Sequence, residues 1–131
     1  LLKKIWKIKN SIMKYLALLL VLASFTFTEP KHVGKSGVKV VSATTQEILG
    51  RNVGYYVVFK NTNADKNVDG LRWDAIFSNN FGDNLGTKTG QWESGNLISP
   101  IKPDGETRDL EGVWVKGATK VKIVITQVHF E

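Results

Sequence analysis

Three features of the chain predict an all-β fold. Leu71, Trp73, Ala75 and Phe77 fall on one parity and Arg72, Asp74 and Ser78 on the other, with Ile76 the one apolar exception. That is the period of a strand with one buried face, and it does not fit a helix. Tyr55–Phe59 is an unbroken aromatic and β-branched run, suited to a central strand covered on both faces. Polar stretches at Asn61–Gly70 and Asn79–Asn84 are rich in Asn, Asp and Gly, which tolerate left-handed backbone and bond to their own main chain. Two strands alone are unstable in water, so the rest of the chain must supply more sheet and a second layer. Short strands between turns over about 100 residues predict an antiparallel β-sandwich of about seven strands, immunoglobulin-like, preceded by an N-terminal signal helix.

Residues 1–28 read as a leader. From Met13 the sequence runs Met-Lys-Tyr-Leu-Ala-Leu-Leu-Leu-Val-Leu-Ala-Ser-Phe-Thr-Phe-Thr: a basic start, a short apolar stretch, then small residues, as in a secretory signal. The apolar part, Tyr15–Phe27, has 13 residues. A membrane span needs about 20, so a cleaved leader is preferred over an anchor. Met13 is a candidate start, which would put residues 1–12 upstream of the natural chain. Residues 29–37, with Pro30, Gly34 and Gly37, are expected to be a flexible lead-in to a folded domain over 38–131.

The strands follow in order. Val38–Thr44 is the first, and Thr45–Gly54 holds a short strand or a turn. Tyr55–Phe59 and Leu71–Phe77 come next, the one expected to partner the other across the polar turn. Leu85–Glu93 is weakly patterned and Gly-rich, hence an edge strand. Ser94–Glu106 crosses over: Pro100 and Pro103 exclude a central strand there, and Asp104-Gly105 signals a turn. Thr107–Val115 is the next strand, joined by the hairpin-length Lys116–Thr119 to the last, Lys120–Glu131. In that last strand Val121, Ile123 and Ile125 share a parity that Val128 and Phe130 break. A bulge near Thr126-Gln127 would restore their facing.

Charge and cysteine content exclude several functions. The formal charge is +6, but five of the 18 basic residues lie in the leader, which has no acid. The rest carries 13 basic and 12 acidic residues and lacks the footprint of a nucleic-acid binder. With no cysteine, disulfides, thiolate catalysis and cysteine-based zinc sites are excluded.

Asn61-Thr-Asn63, Val68-Asp-Gly-Leu-Arg-Trp-Asp-Ala-Ile-Phe-Ser-Asn-Asn-Phe-Gly-Asp-Asn-Leu-Gly86 and Pro103-Asp-Gly-Glu-Thr107 resemble the FxLYD-type exported bacterial domains. The resemblance covers about residues 38–131. Phe77-Ser-Asn79 stands where that family favours Tyr-Asp, and Asp104 is inserted between Pro and Gly. The resemblance implies an immunoglobulin-like sandwich outside the cytoplasm and no catalytic residues.

Candidate sites are few. Asp65, Asn67 and Asp69, followed by Gly70, match the first half of a calcium loop, whose alternate oxygen ligands wrap a tight turn. The twelfth position is Ile76 rather than Glu, which favours a plain turn. His32 and His129 are the only histidines and lack metal-ligand spacing. Asp104, Glu106, Asp109 and Glu111 could do acid–base work only if burial separated their pKa values; a solvated stretch is expected. Trp73 and Trp114 fit the core, whereas Trp92, with Gln91 and Asn96, is a candidate sugar-binding platform. No nucleophile, zinc or phosphate-loop motif occurs. The sequence therefore predicts an exported binding or structural accessory module, periplasmic, cell-surface or secreted. It is expected not to be an enzyme and to need no cofactor. Its expected partner is a protein or cell-envelope component rather than nucleic acid, with the membrane met only through the signal segment before cleavage. The alternative is a carbohydrate-binding domain centred on Trp92.

Overall fold

The computed structural model describes residues 30–48, 51–112 and 115–131. The expected leader and its helix lie outside the described residues, as does Trp114. Among the described residues there are six strands: β1 (Val38–Ile48), β2 (Arg51–Asn61), β3 (Val68–Ser78), β4 (Asn84–Glu93), β5 (Glu106–Glu111) and β6 (Lys120–Phe130). They form two three-stranded antiparallel sheets, ordered β1-β2-β5 and β4-β3-β6.

The count is six rather than about seven because Thr45–Gly54 holds no strand of its own. β1 and β2 run through it as one long hairpin, with Thr45 opposite Tyr55 and Gln46 opposite Gly54. A second difference concerns pairing. The runs Tyr55–Phe59 and Leu71–Phe77 are not hairpin partners, since β2 and β3 sit in different sheets. Lys116–Thr119 likewise links the two sheets instead of closing a hairpin. Both connections cross because each flanking strand already has partners on its own sheet.

The sheets meet through alternating side chains. Tyr55, Val57 and Phe59 of β2 face Leu71, Trp73, Ala75 and Phe77 of β3, with Val121, Ile123 and Ile125 of β6 completing the buried cluster. The Phe59 and Trp73 rings pack at 4.7 Å between centroids, and Tyr55 meets Phe77 edge-on at 5.6 Å, distances at which aromatic pairs attract. β2 is the middle strand of its sheet, and Val58 on its outer face is buried too, as the unbroken apolar run requires.

Bulges keep the apolar side chains inward. Arg72 pairs with Gln127 and Trp73 with Ile125, leaving Thr126 as an extra residue. Val128 and Phe130 thereby pack against the core, as the parity break in the sequence demands. A second bulge makes Val41 the extra residue of β1, so Val40 and Ala43 both reach the core.

The lead-in is not a free tether. Val33 lies parallel to Val124; its N–H donates to Ile123 O at 3.0 Å and its carbonyl accepts from Ile125 N at 2.9 Å. The Ile123 N–H donates to His32 Nδ1 at 3.0 Å. β6 is an edge strand whose outward N–H and C=O groups need partners, and this segment supplies them. The chain then reverses at Ser36-Gly37, with φ of 50° and 75°, and Lys35 and Val38 exchange both backbone hydrogen bonds. Two successive left-handed residues make the tight turn that matches strand twist.

Asn61 joins the sandwich at one end. It is 0% exposed. Its Nδ2 donates to Lys66 O at 2.7 Å and Ile101 O at 2.9 Å, and its Oδ1 accepts from Asn63 N and Asn63 Nδ2, both at 2.9 Å. Its backbone bonds Asp104 N and Gly105 O. The Lys102–Gly105 turn places Pro103 at its second position and left-handed Asp104, φ 64°, at its third, the arrangement of a type II turn.

Candidate functional site

The outward face of the β4-β3-β6 sheet carries the candidate site. Register sets its rows. Gly70 lies between Glu93 of β4 and His129 of β6, and Arg72 lies between Gln91 and Gln127. Alternation turns all of these away from the core, because Leu71 and Trp73 point inward. Gly70 has no side chain, so the middle of the first row is open. The result is a shallow cleft of about 180 Å³ lined by Gly70, Leu71, Arg72, Glu93, Gln127 and His129.

A bulge shapes one wall. Val68 pairs with Phe130 and Gly70 with His129, leaving Asp69 as the extra residue. Its carboxylate Oδ1 lies 2.6 Å from His129 Nδ1, which fixes the imidazole at the cleft rim. The Asp69 carbonyl also accepts from Ser94 N at 2.8 Å, tying the bulge to the end of β4. Arg72 makes no ion pair among the described residues. Its guanidinium presents a planar fork of donors, flanked on both sides by carboxamides. Such a set favours carboxylate, held bidentate by Arg and supplemented by Gln amides.

The residues singled out in the sequence are dispersed. Trp92 is 7% exposed and belongs to the core cluster. It pairs with Leu71 and shares that inward face, so it cannot serve as a stacking platform for sugars. Gln91, one residue away, faces the opposite side, next to Arg72. Asn96 is exposed in the β4–β5 connection beyond the strand. The three do not converge.

The calcium-loop pattern is also broken up. β3 begins at Val68, so Asp69 and Gly70 are strand residues and no loop can wrap an ion. Asp69 is engaged with His129, Asn67 Nδ2 donates to Glu131 Oε2 at 3.2 Å, and Asp65 is exposed. Among the described residues no group of three His, Cys, Asp or Glu side chains could hold a metal ion.

The acidic stretch divides in two. Asp104 pairs with Lys60 at 2.9 Å, which lowers the pKa of its carboxyl through that hydrogen bond and charge. Asp109 and Glu111 are opposite Val57 and Tyr55, on the core side of β5, and are half-buried rather than fully solvated. Burial raises the Glu111 pKa, helped by a hydrogen bond and repulsion from Asp109. They face inward because alternation puts Arg108 and Leu110 outside.

Arg72, Gln127 and Gly70 were not distinguishable as site residues in the sequence, and His129 showed there only a lack of metal-ligand spacing. They come together only through the register of three strands. No family model matches the chain, and no curated protein and no solved structure matches it.

Proposed function

We propose that the chain is an exported, immunoglobulin-like binding or accessory module without catalytic activity, and that the outward face around Gly70 and Arg72 contacts its ligand. Strand order supports the immunoglobulin-like reading. The sheets β1-β2-β5 and β4-β3-β6 correspond to strands A, B, E and C′, C, F of that sandwich, with buried Trp73 on the C strand where such domains carry a tryptophan. The residues that resemble FxLYD-type domains sit at joints of the sandwich, Asn61 and the Pro103–Gly105 turn above all, which favours reading them as framework. Export rests on the leader-like sequence of residues 13–28.

The observation that carries the binding reading is the open row at Gly70 beside an Arg72 that has no ion pair among the described residues. Its ligand is a carboxylate-bearing segment of a partner protein, recognised by the guanidinium between Gln91 and Gln127. With Trp92 in the core, the carbohydrate alternative loses the aromatic residue on which it was centred. Titration of the ¹⁵N-labelled chain with an oligo-glutamate peptide tests this. Amide shifts are expected at Gly70, Arg72 and Gln127, and are lost in Arg72→Ala. Absence of shifts in the wild type, or equal shifts in the variant, would overturn it.

A further inference from the structure

The two rows of the cleft have opposite character. In the row centred on Arg72 every outward side chain can donate: the guanidinium, with the carboxamides of Gln91 and Gln127 on either side. The row centred on Gly70 is built of acceptors. Glu93 stands on its β4 side, exposed and in no ion pair among the described residues. His129 stands on its β6 side, with Nδ1 2.6 Å from Asp69 Oδ1. A carboxylate accepts, so Nδ1 carries the proton, and the neutral imidazole keeps Nε2 as an acceptor.

The floor between these two acceptors is open. A Cβ added at Gly70 would have one neighbour within 4 Å, His129 Cβ at 3.3 Å. Arg72 does not neutralise Glu93 either. Arg72 is opposite Gln91 and Gly70 is opposite Glu93, so the two charges are diagonal neighbours, and they form no ion pair. A purely acidic ligand would set a carboxylate against Glu93. A purely basic one would set a cation against Arg72. Only a ligand with both charges satisfies both rows.

We propose that the cleft selects a dipolar segment of a partner protein, with an acidic side chain on Arg72 and a lysine ammonium in the Gly70 row, between Glu93 and His129. Successive rows are one two-residue repeat apart, roughly 7 Å. An extended segment therefore meets both rows from one face when a single residue separates its acid from its lysine. Asp74, in the next row beyond Arg72, is not the cation site: it accepts from Thr89 Oγ1 at 3.3 Å and does not line the cleft. The inference rests on the binding role proposed above for this cleft and adds a cation site to it.

The test uses the ¹⁵N-labelled full chain and three end-blocked peptides with cores Glu-Ser-Lys, Glu-Ser-Glu and Glu-Lys-Ser. Glu-Ser-Lys is expected to bind about three- to fivefold more tightly than Glu-Ser-Glu, the scale of one exposed charge pair. It should exceed Glu-Lys-Ser as well, whose two charges project to opposite faces when extended. Its amide shifts should include Glu93 and His129 besides Arg72. Glu93→Gln, a conservative change at an exposed position, should erase the preference for Glu-Ser-Lys over Glu-Ser-Glu, and Arg72→Ala should abolish binding of all three. Equal binding of Glu-Ser-Lys and either other peptide, or a preference that survives Glu93→Gln, overturns the dipolar site while Arg72 stands as an anion site. Absence of shifts with every peptide overturns both readings.

Discussion

The indole Nε1 of Trp73 donates to the phenol oxygen of Tyr55 at 2.7 Å, bridging the two sheets inside the core. Tyr55→Phe leaves that indole donor buried without an acceptor. The expected loss is about 1–3 kcal/mol in urea-induced unfolding, the usual cost of an orphaned buried donor. Burial also pushes the Tyr55 pKa up to about 12, from 10.0, despite the opposing bond from Trp73. The folded state therefore holds this proton more tightly than the unfolded state does. Tyr55 contributes fully to stability below pH 10, and its share is lost as pH rises from 10 towards 12. Tyr55→Phe should flatten that alkaline decline, read as melting temperature against pH.

Asn61 is a buried polar residue whose four hydrogen bonds join three segments of the chain. Asn61→Ala orphans groups in the β2–β3 connection. The cost expected in chemical unfolding is at least about 2 kcal/mol. Local amide exchange should rise at Asn63 and Lys66, and a variant as stable as the wild type would contradict this account of the joint.

Gly90 faces the Trp73 ring so closely that a Cβ there would fall inside the indole's van der Waals envelope. Gly90→Ala must displace either β4 or the indole. The expected destabilisation is about 1–3 kcal/mol, typical of overpacking. Gly95→Ala, where a Cβ meets nothing, is the matched control and should leave the urea midpoint almost unchanged.

Glu111 has its pKa raised by burial and by Asp109. Its charged form is thus disfavoured by folding, and the penalty is present at neutral pH. It disappears as pH falls through the folded pKa and then the unfolded value of 4.5. Glu111→Gln should raise the melting temperature at pH 7, by an amount corresponding to less than about 1 kcal/mol given its partial exposure. The difference from wild type should vanish below about pH 4.

Much of the strand content was legible because each burial pattern has a simple parity. Leu71–Phe77 lies inside β3 with the facing that its alternation predicts, and the parity break at Thr126-Gln127 marks a true bulge. Pairing was not legible. Asn61–Asn67 is as compatible with a hairpin as with a crossover between sheets, and only the competing partners β1 and β5 decide. Trp92 was ambiguous because its neighbours are Gly90, Gln91 and Glu93, with no apolar alternation to assign a face. The cleft was hidden for a related reason. Gly70, Glu93 and His129 are far apart in sequence, and their adjacency follows from register alone.

The pairing of His32 and Val33 with β6 sets an order of events. His32 and Ile123 are 91 residues apart, so the first described segment of the domain finds its partner only after the last strand exists. Closing so long a loop is slow relative to local pairing. A chain that emerges N-terminus first must therefore hold residues 30–35 in waiting until β6 arrives. The domain acquires its finished outline at the end of its production, when the two extremities of the folded region are laid side by side.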